Sequence, residues 1–356
     1  MKLCRTTSIH QSELNCLLTS HLFNLQARFM TYVPFNNADI IADRFLALLS
    51  KLGVKPPTGS VIEDELLSTF RLVEVIKHPD QAQGGDAPRI LRHAAGLHDL
   101  AAKILAAEPL PDFNQFEAHI RLLGAGARTS DTVLQNTKSP LANDTNRKIT
   151  ELYLACLAVH LGQGIKLDAP SGGKGGDNPD IIFNPDEDPG RIWTLAIKSI
   201  SGQSGQTYFE RIREAAHQID APACSADVGM VVINIQNILD HDALWNTDFP
   251  TEQDACAALM AQIQNVIDKA NKDRLKEEWD ELFQGKVVRP ILFLAQSVAR
   301  VKTPAGPEMP TALKMICMFD AQGALNPKAR KIAFIMNHMM QTILAGKPGA
   351  PDVQPS

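Results

Sequence analysis

The sequence lacks the features that mark several specialised classes of protein. Its six cysteines form no CxxC pair and have no regular spacing, so we expect reduced thiols in a cytoplasmic protein rather than a disulfide framework or a zinc site. The longest apolar runs, such as GMVVINI and RPILFLA, have only the length of a strand, so no membrane contact is predicted. The net charge of -5 gives no overall attraction to nucleic acid, and phosphate contacts would need a local patch or a bound metal ion.

Three common catalytic motifs are also missing. The segment SGGKGG resembles a phosphate loop, but Lys174 is followed by glycine instead of serine or threonine. The segment SGQSGQ has Gln206 where the G-x-S-x-G elbow needs its last glycine, and the chain contains no H-E-x-x-H. Nucleoside triphosphate binding, serine hydrolysis and zinc peptidase chemistry therefore have no support in the sequence.

The apolar periodicity divides the chain into regions of different character. Apolar residues recur at helical spacing in segments such as ADIIADRFLALLSKL, which predicts an all-helical N-terminal domain over residues 1–135. Helical and strand patterns alternate over residues 136–345, which predicts an α/β domain. Residues 346–356 are polar and rich in proline and glycine, and we expect a disordered tail there.

The order of elements in the second region is informative. A helical pattern over residues 147–162 is followed by the short segment IKLDAP (165–170), a glycine-rich stretch (171–176) and two strands (179–183 and 192–200). A helix (208–219) and a buried strand (228–235) come next. A long polar helix around 251–283, two further strands and a last helix complete the pattern. This order predicts a mixed sheet flanked by helices.

One hairpin in this region carries the candidate chemistry. Asp180 begins its first strand after a proline and a glycine-rich approach, and Lys198 lies among apolar residues on the second strand. Strand alternation puts Lys198 on the same face as Ala196. Phosphodiester cleavage needs an activated water and a neutralised transition state, which Mg²⁺ held by carboxylates provides and a nearby ammonium group assists.

These residues resemble the PD-(D/E)xK phosphodiesterase superfamily, which has the restriction endonuclease-like fold. The resemblance covers about residues 145–240 and matches Glu151 to the helix acid, Asp180 to the Pro-Asp acid and Lys198 to the lysine of the last motif. Gln218 is similar to a glutamine that some branches carry on the next helix. The resemblance implies a Mg²⁺- or Mn²⁺-dependent nuclease that acts on nucleic acid, with DNA as the first expectation.

The sequence departs from that superfamily at Ala196, where the acid of the acid-x-Lys motif would stand. Some members move this acid to the following helix, on which Glu210, Glu214 and Gln218 form one stripe. The resemblance therefore implies Asp180, Glu151 and Glu214 as metal ligands, with Glu210 as an alternative to Glu214.

Other interpretations stay open at this point. Asp180 could belong to a turn, Lys198 could protect an edge strand, and Glu210 and Glu214 could be a solvated helix face. The chain could also be a catalytically inactive nuclease-fold protein that binds nucleic acid or protein, or an unrelated α/β enzyme. The helical N-terminal domain is the candidate surface for a second copy or a protein partner.

Overall fold

The structure is a computed structural model and has a mixed α/β architecture. It describes residues 38–77, 87–124, 144–170, 179–303 and 306–341. In these ranges one seven-stranded sheet is flanked by helices, as the order of elements predicts. No helix among the described residues is long and apolar enough to cross a membrane. The predicted boundary at residue 135 and the predicted tail over 346–356 lie outside the described residues.

Helices form the described part of the N-terminal region. They are α1 (Ala38–Lys51), α2 (Val61–Lys77), α3 (Ala87–Ala107) and α4 (Glu117–Gly124), and a 3-10 segment (Pro111–Phe116) precedes α4. In α1 the large buried residues recur at i, i+4, i+7 and i+8, which gives one apolar stripe; they are Ile41, Phe45, Leu48 and Leu49. The rest of the helical prediction, over residues 1–37 and 125–135, lies outside the described residues.

The sheet is mixed. Its strands are β1 (Gly162–Leu167), β2 (Ile181–Pro185), β3 (Trp193–Ser199), β4 (Val228–Asn234), β5 (Asp248–Phe249), β6 (Ile291–Thr303) and β7 (Gly306–Phe319). Strands β1, β2 and β3 pair antiparallel in sequence order, and β4 is parallel to β3. Strand β6 pairs in parallel with β4 and β5, and antiparallel with β7. The parallel step from β3 to β4 brings the carboxyl ends of both strands to one edge.

In the described part of the chain, six further helices lie before, between or after the strands. They are α5 (Asp144–Ala158), α6 (Gly205–Asp220), α7 (His241–Asn246), α8 (Glu252–Asn271), α9 (Lys276–Glu281) and α10 (Pro327–Gln341). The single polar helix predicted around 251–283 is thus two helices. The chain leaves α8 at Lys272, and Asp273 has a φ of 61°, which no continuous right-handed helix accommodates.

Two hydrophobic cores cover the two faces of the sheet. The first core contains Leu195 and Ile197 of β3 together with residues of α1, α3, α4, α5 and α10. The second core contains Ala196 and Ile200 together with residues of α6, α8 and α9. Successive strand residues point to opposite faces, which explains this division. Helices α5 and α6 therefore lie on opposite faces of the sheet.

A buried polar cluster fastens the helices of the first core to the sheet. Asp99 of α3 accepts hydrogen bonds from Lys314 Nζ of β7 and from the Tyr153 hydroxyl of α5, both at 2.7 Å. Lys103 Nζ lies 3.8 Å from the same carboxylate, and burial lowers the pKa of Lys103 to about 7. Because these groups come from three separate elements, their bonds hold α5 in a defined position over the sheet.

The edge strand β1 begins three residues before the segment IKLDAP and ends within it. Gly164 has a φ of 70°, and the pairing of β1 with β2 shifts register between Gln163 and Lys166. Ile165 is buried while its neighbours are not, so the sequence pattern of the strand is weak. After β1, the backbone N–H of Asp168 donates to the carbonyl oxygen of Asp180 at 3.1 Å.

Candidate functional site

Asp180 is held against the end of β3. It directly precedes β2, and its Oδ2 accepts a 2.6 Å hydrogen bond from the backbone N–H of Ile197. Since Ile181 pairs with Leu195, Asp180 lies opposite Ala196 in the antiparallel register. The side chain is buried, so its carboxylate is oriented by the strand rather than by solvent.

Glu151 reaches the same region from α5. It is 4% exposed, and its Oε2 lies 2.8 Å from Lys148 Nζ, one helical turn earlier, and 3.6 Å from His119 Nε2. Lys148 Nζ also contacts Asp168 Oδ2 at 3.0 Å. The site therefore combines acidic and basic groups from α4, α5 and the ends of β1 and β2.

Burial shifts the ionisation of both central acids. Removal from water raises the pKa of Glu151 to about 7, although the nearby Lys148 opposes the rise. Burial and the charge of Glu151 raise the pKa of Asp180 to about 7, against the opposing effects of the Ile197 N–H and of Lys198. Two neighbouring acids that titrate near neutrality are typical of functional sites.

The basic groups around these acids differ in ionisation. Burial disfavours the charged form of Lys148, but Glu151 and Asp168 outweigh it, and the pKa of Lys148 is raised. His119 is 1% exposed, and burial together with the charge of Lys148 lowers its pKa to about 4, so the ring is neutral at pH 7. The site therefore contains a charged lysine and a neutral imidazole beside Glu151.

Lys198 lies at the carboxyl end of β3. It is half-buried, and its positive charge opposes the rise in the pKa of Asp180. At the end of the parallel neighbour β4, Asn234 Nδ2 donates to Thr150 Oγ1 of α5 at 3.3 Å. Carboxyl ends of parallel strands are a usual place for ligand sites in α/β proteins.

Three members of the site were not predicted from the sequence. Lys148 could have been found, because it lies three residues before Glu151 and so on the same helix face. Asp168 could have been found only by assigning β1. No local signal indicates His119, which reaches Glu151 only because α4 packs against α5.

Two of the predicted helix acids are engaged elsewhere. Glu210 accepts a 2.8 Å hydrogen bond from Gln206 at the protein surface. Glu214 is exposed and forms a 2.6 Å ion pair with Arg211. Both lie on α6, on the second-core face, whereas α5 carries Glu151 on the first-core face. The structure does not bring these acids together with Asp180.

Gln218 lies near the opposite end of the strands from Lys198. Its neighbour Ile219 packs directly over Gly229, which pairs with Thr194. Thr194 precedes Lys198 by four strand residues, a separation of about 13 Å. Gln218 is buried in the second core's helix layer and is not part of the cluster around Asp180.

Ala196 has no exposure to solvent and belongs to the second core. Its Cβ points away from the face that carries Leu195 and Ile197. A carboxylate at this position would enter an apolar environment that is packed against α6. The alanine therefore suits its packing environment, and the acid expected from the resemblance has no place there.

Glu151 and Asp180 offer carboxylate oxygens, which are the ligands that a hard divalent cation such as Mg²⁺ prefers. Within the described residues there is no group of three His, Cys, Asp or Glu side chains arranged to hold a metal ion. However, Mg²⁺ is commonly held by one or two carboxylates, with water and substrate phosphate completing its octahedron. Glu151 and Asp180 fit such a site.

The fold and the site together define a mixed α/β protein with a buried cluster of acids and lysines at one edge of its sheet. Comparison with protein-family models, with curated proteins and with solved structures gives no match for this chain. The geometry of this cluster is therefore the basis for assigning a function to the chain.

Proposed function

We propose that the chain is a divalent-metal-dependent nuclease that hydrolyses nucleic-acid phosphodiesters on a restriction endonuclease-like core. The observation that supports this proposal is the meeting of Glu151 and Asp180, two buried acids from separate elements, together with the charge of Lys198, which acts on Asp180. In the hairpin of β2 and β3, Asp180 directly precedes β2 and Lys198 lies on β3, and α5 with Glu151 precedes the hairpin. This is the arrangement that the superfamily resemblance implies.

The side chains have distinct roles in this mechanism. Glu151 and Asp180 would hold the metal ion, and the Ile197 N–H keeps the Asp180 carboxylate in a fixed orientation. A bound Mg²⁺ supplies a water of lowered pKa and neutralises charge on the phosphate. The ammonium group of Lys198 orients the attacking water and stabilises the negative charge that develops on the phosphoryl oxygens.

The substrate and the location of the protein are further parts of this proposal. With a net charge of -5, the chain depends on the local cations Lys148 and Lys198 and on the metal ion to attract phosphate. We propose DNA as the nucleic acid and the cytoplasm as the location, where the buried free thiols of the described cysteines would stay reduced. Contact with a second copy or another protein through the N-terminal helices also remains a proposal.

The proposal is tested by DNA cleavage in the presence of Mg²⁺ or Mn²⁺. Asp180→Ala and Lys198→Ala should each reduce cleavage on the order of 100-fold or more, and EDTA should abolish it. Asp186→Ala in the turn between β2 and β3 and Lys166→Ala on β1 are matched controls on exposed residues and should cleave as the unsubstituted protein does. Undiminished cleavage by both site variants would refute the nuclease assignment.

A second candidate function is binding of nucleic acid or protein by a nuclease-fold protein without metal chemistry. The burial of Ala196 in the second core favours it, because the acid expected there is absent from the site. Calorimetric titration of Mn²⁺ into the full chain, with and without a DNA duplex, separates the two candidates. Binding that Asp180→Ala abolishes favours the nuclease, and no binding even with DNA favours the second candidate.

A further inference from the structure

We propose that Asp168 supplies the carboxylate that position 196 lacks, and that Lys148 occupies the place of a divalent cation between Glu151 and Asp168 in the metal-free protein. This inference rests on the proposed nuclease function and deepens it. Asp168 would be a third acidic ligand, and the ammonium group of Lys148 would be a cation of the protein that the metal ion must displace.

The backbone brings Asp168 to the site. Leu167 pairs with Ile181 at the end of β1, and the next residue donates its N–H to the carbonyl oxygen of Asp180 at 3.1 Å. Asp168 and Asp180 are therefore neighbours just beyond the paired ends of β1 and β2. The Asp168 side chain is 26% exposed, so that it is open to an incoming ion and to water.

Lys148 joins two carboxylates in the way that a metal ion would. Its Nζ lies 2.8 Å from Glu151 Oε2 and 3.0 Å from Asp168 Oδ2. The two carboxylate oxygens are therefore held close to each other by one ammonium nitrogen. Removal of this ammonium group would leave two carboxylates facing each other beside Asp180. Such a concentration of negative oxygen donors favours a hard divalent cation.

His119 provides independent support for rearrangement at this position. It is 1% exposed, and neither of its ring nitrogens makes a hydrogen bond with a described residue. Its Nε2 lies 3.6 Å from Glu151 Oε2, just outside hydrogen-bond distance. When Lys148 leaves, the imidazole can donate to Glu151 and keep that carboxylate oriented, as outer groups do for metal-bound carboxylates.

Asp168 is a better source of the third acid than the helix that follows β3. Glu210 and Glu214 belong to α6 on the second-core face, whereas Lys148, Glu151 and Asp168 meet on the other side of the sheet. The third acid, Asp168, would thus come from the residue that follows β1, before the Pro-Asp motif.

The test measures Mn²⁺ binding to the full chain by the electron paramagnetic resonance signal of free Mn²⁺. Asp168→Asn should weaken binding at least about ten-fold. Lys148→Gln should tighten it several-fold, because no ammonium group has to be displaced. Asp186→Asn, an exposed aspartate at the other end of the same hairpin, should bind as the unsubstituted protein does. Thermal unfolding without metal establishes that each variant is folded.

The outcomes separate this inference from the proposed function. Equal Mn²⁺ affinity in Asp168→Asn and Asp186→Asn would overturn the role of Asp168, and unchanged or weaker binding in Lys148→Gln would overturn the displacement. If Asp180→Asn abolishes both binding and cleavage while Asp168→Asn retains both, the nuclease stands and this inference fails. No binding to the unsubstituted protein, even with DNA, would overturn both. If Lys148→Gln does not fold, the Asp168→Asn comparison decides.

Discussion

Replacement of Asp180 by asparagine should stabilise the protein at neutral pH, although it removes a central site residue. The carboxyl of Asp180 has a pKa raised from 3.8 to about 7 by burial and by Glu151. Between these values the folded protein keeps a proton that the unfolded chain has released. Stability therefore falls as the pH rises from about 4 to 7, and it is lowest above pH 7. Asparagine carries no such charge and still offers an oxygen to the Ile197 N–H.

The size of the effect follows from the shift. Each pH unit between the two pKa values is equivalent to about 1.4 kcal/mol. From pH 5 to pH 7, Asp180→Asn should thus gain as much as about 2.7 kcal/mol of unfolding free energy relative to the unsubstituted protein. For a chain of 356 residues, a gain of this size means that the melting temperature of Asp180→Asn, compared with that of the unsubstituted protein, rises by about 3 to 4 °C between pH 5 and pH 7.

Chemical denaturation at pH 5 and pH 7, with EDTA present, measures the difference. Asp186→Asn removes an exposed aspartate from the same hairpin and should show no comparable pH dependence relative to the unsubstituted protein. If Asp180→Asn is destabilised at pH 7, or if the difference does not grow between the two pH values, the buried-acid argument is refuted.

Three further substitutions test the packing that forms the site. Ala196→Glu should destabilise the protein by roughly 3 kcal/mol or more, measured by urea denaturation, because it puts a charge into the second core. Tyr153→Phe removes the buried hydroxyl that donates to Asp99 and should cost about 1–3 kcal/mol in the same assay. Gly205→Ala should lower the melting temperature, since its Cβ would lie 1.8 Å from the carbonyl oxygen of Lys269.

Each of these substitutions has a control. Ala196→Gln has a similar volume without the charge and should be the milder change. Tyr208→Phe alters a buried tyrosine of the second core and should have a smaller effect than Tyr153→Phe. Gly190→Ala adds a methyl group with no neighbour within 4 Å and should be nearly neutral. Equal effects in a substitution and its control would contradict the proposed cause.

The hairpin with Asp180 and Lys198 could be predicted from local pattern alone. A proline and glycines before an apolar run, a turn, and a second apolar run with one lysine are short-range signals. Alternation along β3 also predicts that Ala196 lies on the other face from Leu195 and Ile197, as the two cores confirm. Alternation does not determine which helices cover each face.

Tertiary packing decided the membership of the candidate site. Glu210, Glu214 and Gln218 form a regular stripe in the sequence. Because α6 packs on the second-core face, this stripe does not join the cluster around Asp180 and Glu151. His119 joins Glu151 only because α4 packs against α5.

The sequence by itself determined the two strands of the hairpin, the helix before it and the acids and lysine that they carry. These features arise from side-chain periodicity and turn residues, which act over a few positions. Only the tertiary structure brought Lys148 and Asp168 together beside Asp180, because β1 has too weak a pattern to be recognised and its neighbours are set by sheet pairing. Contacts between residues distant in the chain depend on how whole elements pack, and local sequence carries no record of them.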